Sequence, residues 1–224
     1  MSFAVRVLRA ASFRALRPRL FDSVILAELI ETIKTQYNFR QVPTIQEVAE
    51  KPALFGFGEI RRDSEAITIE QLTVSYVGIQ ATSVTASTRT STDDSDFFLD
   101  ELIAWVGKKY RLDTSPVFAP SYHSVLEVNF EAPISQRFTE LRSIGQEMTS
   151  YIRSYGLQTC PEFEVEGFSM HIEPTPTLIP SPLAFSVQRR LGAPYAENKY
   201  FSQAPLKTKD HETILKHLDQ ILSP

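Results

Sequence analysis

Apolar and polar positions change their period several times along the chain, and each change marks an element. Phe3, Val5 and Val7 alternate about Arg6, the period of two expected of a half-buried strand. Phe21, Ile25, Leu29, Ile33 and Tyr37 then recur at intervals of four, with Leu26 and Ile30 widening the stripe. A helix with one buried face is therefore predicted over 21–37. Pro43 and Pro52 break that path, and the period returns to two. Phe55 and Phe57 alternate with Gly56 and Gly58, 61–65 is a polar turn, 67–76 pairs back, and a tight turn at Gly78 leads into 79–88. Three consecutive antiparallel strands, a meander, are expected.

The next helix has the clearest local signals. Ser91 or Thr92 caps it, Asp93, Asp94 and Asp96 complement the positive end of its dipole, and Gly107 with Lys108 and Lys109 marks its stop. Its apolar face is Phe98, Leu102, Trp105 and Val106. A strand over 117–130 follows, with Leu126, Val128 and Phe130 on one face and His123, Glu127 and Asn129 on the other. Pro133 opens a helix predicted to reach Tyr155, where Gly156 ends it. Its stripe of Ile134, Phe138, Leu141, Gly145, Met148, Ile152 and Tyr155 alternates spacings of four and three. That is a coiled-coil-like seam, suited either to packing within the fold or to a contact between subunits, with Gly145 at its centre where a neighbouring backbone can come close.

In 162–173 the apolar positions shift phase, from Phe163 and Val165 to Phe168, Met170 and Ile172, so a bulge at Gly167 is expected. Pro174, Pro176, Pro180 and Pro182 stiffen the connection to a last strand over 183–190. A polar loop over 191–207 leads to a final helix capped by Thr208 that buries Ile214, Leu215, Leu218, Ile221 and Leu222. No internal repeat is evident. The sum is one α+β domain over 1–224, a mostly antiparallel sheet of about seven strands covered by about four helices, in the order β-α-β-β-β-α-β-α-β-β-α.

A formal net charge of −4 gives no global basic field for nucleic acid. The first 21 residues nevertheless hold Arg6, Arg9, Arg14, Arg17 and Arg19 and no acid, which suits a strand, a phosphate-binding arm or an organelle-targeting segment. No apolar run approaches the roughly 20 residues that span a bilayer, and no secretory leader is visible. Cys160 is the single cysteine, so an intrachain disulfide and a cysteine zinc cluster are excluded. A cytoplasmic protein without a membrane partner is expected.

Eight glycines supply neither a dinucleotide fingerprint nor a Walker loop, and no cofactor or metal is expected. Gly167, Ser169 and His171 have the spacing of a nucleophile elbow, but His171 stands where the second glycine belongs and the run continues as a strand, so the motif is rejected. His211 and His217 lie six apart and do not form the four-spaced pair of a metalloprotease helix. His123 with Glu127, and His171 with Glu173, share strand faces and would supply acid/base chemistry if their strands converged. The long 191–207 loop is the leading site. Arg189 and Arg190, adjacent on a strand, point to opposite faces, so at most one is expected to meet a ligand or partner beside Tyr195, Asn198 and Tyr200.

The favoured function is a non-catalytic protein-interaction subunit that binds a protein partner or a second copy, with Arg190→Ala expected to alter assembly. A small-molecule domain or enzyme acting on an anionic or phosphorylated ligand is the alternative, with Arg189 or Arg190 as clamp and His123 or His171 as acid/base. Nucleic-acid binding through the basic N-terminus is the third.

Overall fold

A computed structural model of the protein describes residues 3–17, 26–77, 81–172 and 184–223. Its strands are β1 (Ala4–Leu16), β2 (Ala53–Arg62), β3 (Glu65–Val77), β4 (Ala81–Thr88), β5 (Ser121–Asn129), β6 (Gly167–Met170), β7 (Phe185–Arg189) and β8 (Lys199–Ala204). They form one eight-stranded sheet in the order β2-β3-β4-β1-β5-β8-β7-β6, antiparallel at each junction. The helices are α1 (Leu26–Gln36), α2 (Ile45–Glu50), α3 (Thr92–Tyr110), α4 (Thr139–Ser154) and α5 (Thr208–Leu222). The α+β class and the meander β2-β3-β4 follow the sequence pattern, with one more strand and one more helix than expected.

Each difference has a local cause. The extra helix, α2, fits between Pro43 and Pro52 because Thr44 and Glu47 form a capping box. The extra strand is β8, which lies inside the segment expected to be loop. Its inward residues are Tyr200, Ser202 and Ala204, and two small side chains do not register as an apolar alternation. The helix expected from Pro133 is broken at Phe138 (φ −106°, ψ 46°), so that a 3-10 turn, Ile134–Arg137, precedes α4. No bulge is needed at Gly167, since pairing begins there; a Cβ at this position would lie 2.1 Å from the Val187 carbonyl oxygen. The helix α3 runs past Gly107 to a left-handed cap at Arg111. The expected positions Phe21, Ile25, Gly78 and Glu173 lie outside the described residues.

The topology contains a repeat that the sequence hides. The units β1-α1-β2-β3-β4-α3 and β5-α4-β6-β7-β8-α5 have the same β-α-β-β-β-α order, with α2 inserted in the first. Their first strands meet at the centre of the sheet, where Ala10 pairs with Ser124. Each of these residues also pairs outward to an equivalent position, Ala10 to Thr88 on β4 and Ser124 to Ala204 on β8. Near this pair the two closing helices begin. The Thr92 N–H donates to the Thr208 hydroxyl at 3.0 Å and the Thr208 N–H to the Thr92 hydroxyl at 2.9 Å. Thr208 is thus the first helical residue rather than the cap, and each helix satisfies an orphan N–H of the other.

Two apolar cores flank this axis. One lies among β2, β3, β4, α1 and α3, around Tyr37, Phe55, Ile69, Leu72 and Phe98; the other among β5, β7, β8 and α5, around Leu126, Phe130, Val187 and Leu215. Between them runs a buried polar belt of Ser12, Thr88, Thr92, Ser95, Ser124, Ser202, Thr208 and His211. Its hydroxyls are paired: Ser12 donates to the Thr92 carbonyl, and Ser95 to that of Ala10.

Candidate functional site

Arg189 sits on the helix-bearing side of β7. Its guanidinium lies 4.0 Å from the Tyr195 ring centroid and 5.5 Å from that of Tyr200, and it donates to the Tyr195 carbonyl at 3.1 Å. Tyr195 opens a 3-10 turn that ends at Asn198, whose φ of 43° is a left-handed value that asparagine tolerates. The Tyr195 hydroxyl donates to Glu166 at 2.8 Å, and that bond raises its pKa, with burial and the Glu166 charge adding to it. Arg189, Tyr195 and Asn198 converge with Gln136, Arg142 and Glu164 on a cleft of about 420 Å³. Tyr200 is only 2% exposed and does not line it. Its hydroxyl accepts from the Ile134 N–H, and its ring packs 5.3 Å from Phe130, so its role is to hold the strand to the core.

Arg190 lies on the opposite side of the sheet, as the alternation requires. It pairs with Glu127, which also receives Arg6 at 3.4 Å, so an arginine of β1 and one that follows β7 close from either side on one carboxylate of β5. His123 shares this face, four residues from Glu127 along β5; burial lowers its pKa, the Arg9 charge adds to this, and a contact with Gln203 opposes it. His171 is exposed beyond the end of edge strand β6, 3.2 Å from Ser169. The structure therefore does not bring His171 to the Arg189 cleft, and places His123 and Arg190 across the sheet from it. The basic N-terminus is likewise divided: Arg14 turns inward to Asp96 at 2.7 Å, while Arg6 faces Glu127.

His211, which with His217 lacks the spacing of a metalloprotease pair, is fully buried. Ser124 reaches its Nδ1 at 2.7 Å and Ser202 its Nε2 at 2.8 Å. Burial pushes its pKa down to about 4, helped by the charge on His123, so the ring is neutral and bonded at both nitrogens. With full burial and no carboxylate orienting it, this array is a structural joint. Its signal in the sequence is the spacing His211, Leu215, Leu218, Leu222 along one helical face.

The two sides of α4 differ. Its inner side is fixed: Thr149 is buried and accepts from the Phe163 N–H at 3.0 Å, and a Cβ on Gly145 would stand 2.3 Å from the Phe163 carbonyl oxygen. The outer side carries Leu141, Ile144, Met148 and Tyr151, each 45–54% exposed, with Tyr155 beyond them. In the topologically equivalent helix α1, Leu29, Ile30 and Ile33 are only 2–4% exposed and join the first core. One half of the repeat buries the apolar stripe of its first helix, and the other half displays it.

No protein-family model matches the chain, and no curated protein matches it significantly.

Proposed function

We propose that the chain is a protein-interaction subunit that docks through the outer stripe of α4, and that the docked partner is a second copy of the chain. The observation that carries this reading is the contrast between α1 and α4, equivalent helices of which only the first has its apolar stripe covered. A contiguous apolar patch of this kind is a common mark of a protein contact. The positions Leu141, Ile144, Met148, Tyr151 and Tyr155 are spaced three, four, three and four apart, the spacing at which two helices interlock side chains along a seam. An identical helix supplies the same spacing, and a two-fold pairing of identical patches closes without leaving a further apolar surface.

The expected site at Arg190 changes its meaning on this reading. Arg190 is held by Glu127 on the far side of the sheet, so the assembly test moves to α4. Ile144→Glu and Met148→Glu place charges in the seam without touching either core. Each is expected to turn a dimer into a monomer of unchanged secondary structure, read by light scattering after size exclusion, whereas Arg190→Ala leaves the mass unchanged. A parental chain that is monomeric at all concentrations, or a Met148→Glu chain that remains dimeric, contradicts the proposal.

A further inference from the structure

We infer that the Arg189 cleft binds a small zwitterion of the amino-acid class, with an apolar side chain. This inference stands apart from the α4 seam, because it rests on the opposite side of that helix. The cleft holds opposite charges on its walls: Arg142 of α4 and Arg189 of β7, and Glu164 on the segment between α4 and β6. Among the described residues neither arginine forms an ion pair with Glu164, and Arg142 and Glu164 form none with any residue. Opposite charges lining one cavity without closing on each other leave space for a ligand bearing both signs.

The walls are positioned for this. Arg189 is fixed between Tyr195 and Tyr200, so little side-chain freedom remains to be lost on binding. Glu164 follows Phe163, whose backbone is clamped to α4 by Thr149 and by the close approach at Gly145. A guanidinium fork takes a carboxylate through two parallel N–H donors, and Glu164 accepts from an ammonium. Glu166 is already engaged by Tyr195, yet its charge lies on the same segment and disfavours a phosphate dianion. Pro133, Phe138 and Val165 supply the apolar wall, and about 420 Å³ falls within the range of small-molecule sites.

The test is calorimetric titration of the full chain with L-leucine and L-phenylalanine, beside N-acetyl-L-phenylalanine, L-phenylalanine amide and inorganic phosphate. The free amino acids are expected to bind saturably, with a Kd of about 1 mM or tighter, and each blocked form about tenfold more weakly. Arg142→Gln, which leaves Arg189 as the one guanidinium in the cleft, should reduce the preference for a free carboxylate, and Glu164→Gln should remove the preference for a free ammonium. Both residues are exposed, and thermal melts report whether the variants fold. Absence of saturable binding by either free amino acid, equal binding of the blocked forms, tighter binding of phosphate, or parental behaviour of both variants overturns the inference.

Discussion

His211 couples the central joint of the molecule to pH. Its pKa falls from an ordinary 6.5 to about 4 on folding, so between these values the unfolded chain binds the extra proton. The stabilisation is complete above pH 6.5 and is lost as pH falls toward 4, by up to about 3 kcal/mol on the relation between pKa and free energy. Urea unfolding across that window should show a slope that His211→Asn flattens; an equal slope in the variant contradicts the assignment. Gly145 is the second decisive residue. Gly145→Ala drives a methyl into the Phe163 carbonyl and should lower stability by about 1–3 kcal/mol, measured by chemical unfolding. This close backbone approach was legible from a glycine at the centre of an apolar stripe. For His211 the sequence shows only a place on the helical face of Leu215, Leu218 and Leu222, and carries no mark of the two serines that distant strands bring to it.

Among the elements, the two closing helices depend on each other. Because each first N–H is capped by the other helix's threonine, Thr92→Ala and Thr208→Ala should each cost about 1 kcal/mol. The pair should be non-additive in a double-mutant cycle, because the hydroxyls share one joint. Additive losses would show that the caps act separately. The sequence made α3 legible through Ser91 and its aspartates, and made the β2-β3-β4 meander legible through alternating apolar residues. It concealed β8, where Ser202 and Ala204 occupy buried positions, because burial there is set by His211 and the neighbouring strands rather than by hydrophobicity. It also concealed the repeat: Ala10 and Thr88 on one side correspond to Ser124 and Ala204 on the other, so the residues differ where the pairing register agrees.

At the scale of the whole molecule, two units of equal topology share one sheet but finish their helical layers differently. The first unit covers itself with α1, and the second leaves α4 with an outward apolar stripe. The stripe expected from the sequence, centred on Gly145, does not form one face in the structure: Gly145 turns in to Phe163, Ile134 belongs to the preceding 3-10 turn, and Leu141, Met148 and Tyr155 face out with Ile144 and Tyr151, which the expected stripe omitted. The candidate ligand site was half legible in the same way. Arg189, Tyr195 and Asn198 came from the loop pattern, while Arg142 and Glu164 join them only through folding. Sedimentation velocity of the parental chain over a wide concentration range should show a reversible approach to twice the mass of one chain, abolished by Met148→Glu, whereas a single species of one-chain mass throughout would rule out pairing through α4.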